Sequence, residues 1–252
     1  MHLHLGPEIQ VIPVEGGLST SPRYNLDIPA VSVGAATGPG EREELLRRTF
    51  GSVDWLWSGD DEFRFDRSSR TLTSVTLRVP ESATLPHRVA RSWLGTEATP
   101  ASLQALTPEN FSVPPAGERW VSEEADWLVC ALSTATSQAV ENCRRLRIAA
   151  SLDLVFQEGV YSGWILRDPA AHLVSGFDAP SGRPATGALK RAFKKYISFF
   201  TEDTYDLMAD EDPATLNELE ELEREILRLP EDTRSRALRE QVTDQREKWY
   251  GR

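Results

Sequence analysis

Between residues 53 and 79 apolar and polar positions alternate in step with a pleated strand, first through Val53, Trp55 and Trp57 and then through Phe63 and Phe65. After a polar turn at Asp66 to Arg70 the extended pattern resumes from Leu72 to Val79, and Pro80 closes it, so the segment predicts a β-meander. Leu146 to Phe156 and Val160 to Leu166 flank Gln157, Glu158 and Gly159, which predicts a hairpin with a three-residue loop and a positive φ at the glycine. Trp127 to Leu132 is apolar on both alternating faces, as in a strand covered on both sides. Residues 8–14 read as a strand that Pro13 pushes toward a sheet edge, because proline cannot donate to a ladder. A second short strand fits Pro29 to Val33.

Helical periods are rarer in this part. Glu41 to Phe50 fits a short helix, acidic at its start and carrying Arg47 and Arg48 near its end, which suits the macrodipole. Residues 80–118 hold six prolines and predict a long irregular connection with short helical pieces at His87 to Leu94 and Ala101 to Leu106. Beyond a Gly- and Pro-rich stretch at 175–187 the period changes: Leu189, Ala192, Phe193, Tyr196, Ile197 and Phe200 form one stripe, with Lys190, Arg191, Lys194 and Lys195 opposite. Pro213 suits a first helical turn, and Leu216, Leu219, Leu222, Ile226 and Leu229 form a second stripe that Pro230 ends. Asp232 or Thr233 can cap a last helix with Leu238, Val242 and Trp249 on one face. Pairs at four-residue spacing (Glu220 with Arg224, Asp232 with Arg236, Arg236 with Glu240, Asp244 with Lys248) support solvated helices.

The expected fold class is therefore α+β: an antiparallel, meandering β-sheet body with a few helices over residues 1–182, then a helical C-terminal segment over 183–252. That segment reads as an amphipathic helix followed by an αα-hairpin. Its first helix should dock on the body, because Phe193, Ile197, Phe199 and Phe200 need cover.

Composition narrows the class. With 252 residues, 40% hydrophobic and 27% charged, the chain can bury a sizeable core and is not of the disordered type. The net charge of −11 splits into −8 over residues 1–182 (15 basic, 23 acidic) and −3 over 183–252 (13 basic, 16 acidic). Such a balance repels a phosphate backbone and favours a basic protein partner over nucleic acid. No stretch approaches the ~20 apolar residues of a membrane span, and the start lacks the basic region of a secretory leader. Cys130 and Cys143 read as free thiols in apolar segments, so the expected compartment is the cytoplasm.

Signatures of the common phosphate-binding loops, dinucleotide folds, serine hydrolases and zinc proteases are absent from the sequence, and no cofactor is expected. His2 and His4 lack a third ligand at a recognisable spacing, so no metal site is expected; His87 and His172 stand alone. Trp55 and Trp57 followed by Asp60, Asp61 and Glu62, with Asp66 beyond, combine aromatic faces with hydrogen-bond acceptors, a pattern that suits a sugar or a cation. In the tail, Asp206, Asp210, Glu211, Asp212, Glu218, Glu221 and Glu225 offer acidic surface, while the basic residues 190–195 are expected to be neutralised by the acidic run that follows them. The leading expectation is a non-enzymatic protein-binding module, such as an inhibitor, immunity-type or accessory protein, engaging a basic partner through those carboxylates. The alternatives are a carbohydrate-acting or carbohydrate-binding domain built on Trp55 and Trp57, and a scaffold that self-associates through its C-terminal helices.

Overall fold

A computed structural model describes residues 2–34, 38–52, 59–135 and 142–251. The chain opens with β1 (Leu3–His4), β2 (Gln10–Val14), β3 (Arg23–Asn25), β4 (Ala30–Val33), α1 (Pro39–Arg48) and β5 (Thr49–Gly51). It continues through β6 (Glu62–Asp66), β7 (Leu72–Arg78), α2 (His87–Gly95), β8 (Ala98–Pro100), β9 (Ser102–Ala105), β10 (Glu118–Val121) and β11 (Trp127–Ala131). Then come β12 (Cys143–Ala149), β13 (Leu152–Gln157), β14 (Val160–Arg167), a 3-10 turn at Pro169–His172 and β15 (Leu173–Val174). Four helices follow: α3 (Gly187–Phe199), α4 (Glu202–Ala209), α5 (Pro213–Leu227) and α6 (Thr233–Tyr250).

The α+β class holds, but the sheets are mixed and not purely antiparallel. One sheet runs β8-β12-β13-β14-β1-β2-β9, with β11 joined to β14 and β10 to β11; the other runs β15-β3-β4-β7-β6-β5. Parallel pairs occur at β1 with β14, β8 with β12 and β15 with β3. Local alternation predicts hairpins, whereas these pairs join strands far apart in sequence. β14 is the axis of the larger sheet. β13 runs along one of its edges, and the other edge takes β1 at Val160 and β11 from Gly163 to Arg167.

Several segments depart from the expectations, among them Glu202–Ala209, where the additional helix α4 stands between the amphipathic helix and the αα-hairpin. Leu146 to Phe156 is not one strand: it folds back after Ala149, and Leu146 faces Leu154 across the resulting β12–β13 hairpin. The next turn is tighter than expected, since Gln157 pairs with Val160 and only Glu158 (φ 50) and Gly159 (φ 82) turn the chain, the two positive φ values of a primed turn. Ala101 to Leu106 holds strand β9 instead of a helix, because β2 offers it an edge, with Val11 opposite Ala105 and Val14 opposite Ser102. β2 itself lies inside the sheet, between β1 and β9. Pro13 is tolerated there because β1 pairs only with Gln10 and Val11, so the missing N–H costs no ladder bond on that flank. The Val53, Trp55 and Trp57 part of the meander lies outside the described residues; β6 and β7 form its expected second hairpin.

The tail helices share the apolar core of the sheets. Leu189, Phe193 and Ile197 of α3, Leu219 and Ile226 of α5, and Leu238 and Val242 of α6 belong to the same cluster as Leu3, Val75 and Trp164. Each helix starts on a side-chain cap: Thr186, Thr201, Asp212 and Asp232 accept from backbone N–H groups of the first turn. Polar ties reinforce the seam. The buried Arg119 of β10 donates to the Ile197 carbonyl at 2.6 Å and the Phe200 carbonyl at 2.5 Å, closing the last turn of α3.

Candidate functional site

α3 and α5 lie side by side and leave an open groove of about 320 Å³ between them. Leu219, Leu222 and Ile226 turn one face of α5 to the core, so Glu218, Glu221 and Glu225, at steps of three and four, line up along its boundary. All three carboxylates line the groove, with Phe199 and Leu222 as its apolar surface and Lys195 and Ser198 on the opposite wall. Lys195 pairs with Glu225. Glu218 and Glu221 are exposed and have no ion-pair partner among the described residues.

The other acidic candidates sit at the α4–α5 junction. Asp206 and Asp210 occupy the last turn and C-cap of α4, where negative charge opposes the macrodipole, and Glu211 turns the chain with φ 54. Asp212 has a structural role: its carboxylate accepts from the Thr215 N–H at 2.7 Å and the Thr215 hydroxyl at 2.8 Å, bonds that hold its pKa below the usual range.

Two of the four basic residues on α3, Lys190 and Lys195, form ion pairs, and neither pairs with the acidic residues 202–212 that directly follow the helix. Lys190 Nζ lies 2.5 Å from Asp126 Oδ1 and 3.3 Å from Asp168 Oδ1, Lys194 donates to the Val121 carbonyl, and Lys195 reaches α5. The four intrahelical pairs expected at four-residue spacing form no ion pairs. Their place is taken by contacts across the hairpin, where Glu223 receives Arg246 at 2.8 Å and the Thr243 hydroxyl at 2.9 Å. Packing α6 against α5 brings these partners within hydrogen-bond distance.

Trp55 and Trp57 lie outside the described residues. Asp61 and Glu62, which follow them, are buried, while Asp60 is half-buried. Asp61 accepts from the Arg78 N–H at 2.8 Å and the Tyr161 hydroxyl at 3.3 Å, and burial pushes its pKa up to about 8. Glu62 binds Arg42 at 2.9 Å. Asp66 organises the following turn by accepting from the Ser68 hydroxyl and the Ser69 and Ser68 N–H groups, which draws its pKa down to about 2.

A cavity of about 580 Å³ lies between β11, the end of β14 and the start of α3. Lys190, Asp126 and Asp168 line it and are spent on one another, and the buried His172 beside them has its pKa lowered by desolvation. His87 stacks near Trp120 with ring centroids 5.4 Å apart and accepts from Arg91 Nε. Both cysteines are free thiols, and among the described residues no group of three metal-ligating side chains converges. No described helix is long and apolar enough to cross a membrane. No family model, curated protein or solved structure matches the chain. The groove is thus read on its own geometry. Sequence pattern marked its glutamates and not Phe199 or Lys195, whose place beside them depends on how α3 and α5 pack.

Proposed function

We propose that this chain is a non-enzymatic protein-binding module, of the inhibitor, immunity-type or accessory kind, that takes a basic segment of another protein into the α3–α5 groove. The observation that carries the reading is the pairing of two uncompensated carboxylates, Glu218 and Glu221, with the apolar floor of Phe199 and Leu222. An amphipathic segment with Lys or Arg beside Leu or Phe meets both features at once. The acidic balance of the whole chain steers such a partner inward, and three glutamates against one lysine in the groove disfavour a second copy of the same surface.

A basic amphipathic Lys/Leu peptide serves as the probe, with calorimetry at low and high salt. Binding should weaken as salt rises, and the double variant Glu218→Lys/Glu221→Lys should lose at least about tenfold in affinity, roughly 1.4 kcal/mol. Glu8→Lys/Glu15→Lys makes the same change in net charge at exposed positions away from the groove. Equal losses in the two double variants would reduce the effect to overall charge and end the groove assignment.

A further inference from the structure

A second cavity, of about 340 Å³, lies where α3, α4 and α6 meet the β3–β4 turn and the end of β7. Tyr24, Tyr196 and Gln241 open onto it, although these residues are only 1%, 6% and 6% exposed. Among the described residues none of their hydroxyl or amide groups has a hydrogen-bond partner, and the Tyr205 hydroxyl, on the same cavity, has none either. Their polar atoms open onto the cavity and are not sealed in the core, so their hydrogen-bond partners come from whatever fills it.

The walls specify the chemistry. Phe200 links Tyr196 and Tyr205, at 4.8 and 5.8 Å between centroids, and Tyr205 leads on to Trp249 at 6.4 Å, so one side is a continuous aromatic surface. Burial raises the pKa of Tyr24 and Tyr196 and pushes Tyr205 up to about 12, which keeps all three phenols protonated at neutral pH. Formal charge balances, with Asp27 and Glu81 against Arg119 and Lys248. The guanidinium of Arg119 is committed to the carbonyls of Pro80, Ile197 and Phe200, so it presents no free fork for a carboxylate or phosphate. Lys248 Nζ lies 4.6 Å from the Trp249 ring centroid and fills the place a cationic ligand would take. Neutral hydroxyl and amide groups beside aromatic faces remain, in a volume near the lower end of the ~300–1,000 Å³ of ligand pockets.

We propose that this cavity binds a small neutral polyhydroxylated ligand, a mono- or disaccharide, whose C–H face packs on the aromatic wall and whose hydroxyls satisfy Tyr24, Tyr196 and Gln241. The site is separate from the α3–α5 groove, and either can fail without the other.

The test uses the full chain in saturation-transfer NMR and calorimetry against glucose, galactose, N-acetylglucosamine, maltose and cellobiose, with free amino acids and tetramethylammonium as contrasting probes. At least one sugar should bind saturably at millimolar concentration or below. Tyr196→Phe and Gln241→Leu should each weaken it by at least about tenfold with the melting temperature retained. Should either variant fold poorly, Tyr205→Phe, at a more exposed hydroxyl, should weaken binding in the same direction. Absence of saturable sugar binding overturns the proposal, as does binding indifferent to the variants. Saturable binding of amino acids or tetramethylammonium in place of the sugars would also overturn it.

Discussion

Tyr161 on β14 donates its phenol across the core to Asp61 Oδ2 at 3.3 Å, a hydrogen bond that joins the two sheets. Both partners are buried, Phe63 and Phe156 close around the phenol at ring distances of 5.4 and 6.0 Å, and the Arg78 N–H holds the other carboxyl oxygen. Burial favours the protonated acid, so the carboxyl is a neutral polar link inside an apolar layer.

That link makes stability depend on pH. Asp61 in the folded chain holds its proton up to about 8, whereas the unfolded carboxyl releases it near 3.8. Between those values the unfolded state binds fewer protons, so stability falls as pH rises, by up to about 1.4 kcal/mol per unit. His172 acts in the opposite sense below its ordinary 6.5, because burial lowers its pKa and protonation then favours the unfolded chain. The interval from about pH 6.5 to about pH 8 therefore isolates Asp61. Asp61→Asn should flatten the slope there while keeping an acceptor for Tyr161, as read by urea unfolding at several pH values; an unchanged slope would remove Asp61 as its source.

Asp153 should be the costliest single carboxylate to delete. It receives Arg145 Nε at 2.6 Å and Arg147 Nε at 2.9 Å, and the Arg145 side chain is only 5% exposed. Asp153→Ala leaves that guanidinium buried without its counter-charge, at a cost of about 3–5 kcal/mol. Arg147→Ala, at a side chain 35% exposed, should cost less than about 1 kcal/mol. Denaturant midpoints of the two variants check the ordering.

These two sites show where sequence pattern is informative. The β13–β14 hairpin and helices α3, α5 and α6 were legible, because turn residues, caps and apolar stripes all act within about a dozen neighbours. The pairing of β1 with β14 was not, since it joins His4 to Val160 and neither segment records the other. The same reason hid β9, whose short apolar run takes strand form because β2 lies beside it. At the groove, the spacing of Glu218, Glu221 and Glu225 was readable along one helix, whereas the Lys195 wall came from packing. Asp61 read as part of a polar turn; its burial follows from the sheet-to-sheet contact with Tyr161.

Gly163 should tolerate no side chain. Its φ of 150 belongs to glycine, and a Cβ there would lie 2.1 Å from the Cys130 carbonyl oxygen and 3.0 Å from the Trp93 ring. β14 is paired on both edges at this position, with Ala131 on one side and Val155 on the other, so the backbone cannot yield without opening a ladder. Gly163→Ala should cost on the order of 3 kcal/mol or more, strain and overpacking adding together. A melting temperature close to that of the native chain would contradict the close approach of β11.

Asp232 performs two tasks that graded substitutions can separate. As N-cap of α6 it accepts from the Arg234 and Ser235 N–H groups at 2.8 and 3.1 Å, while Ser235 Oγ accepts from the Asp232 N–H in return. Its other carboxyl oxygen holds Arg234 Nη2 at 2.6 Å, and that side chain, 4% exposed, also donates to the carbonyls of Arg183 and Pro184. Removing the cap alone typically costs ~1 kcal/mol, and leaving a buried guanidinium without its charge adds to that. Asp232→Asn retains a capping oxygen and loses the charge, so it should cost less than Asp232→Ala, which loses both, with the alanine at about 2–4 kcal/mol. Because Arg234 ties α6 to the segment leading into α3, the alanine variant should also raise amide exchange around Arg183 and Pro184, and the asparagine variant less so. Equal stabilities in the two variants would show that the lost charge beside Arg234 carries the effect and the cap adds nothing, whereas an asparagine variant as stable as the native chain would show that the cap alone matters and that Arg234 holds its place through the two carbonyls.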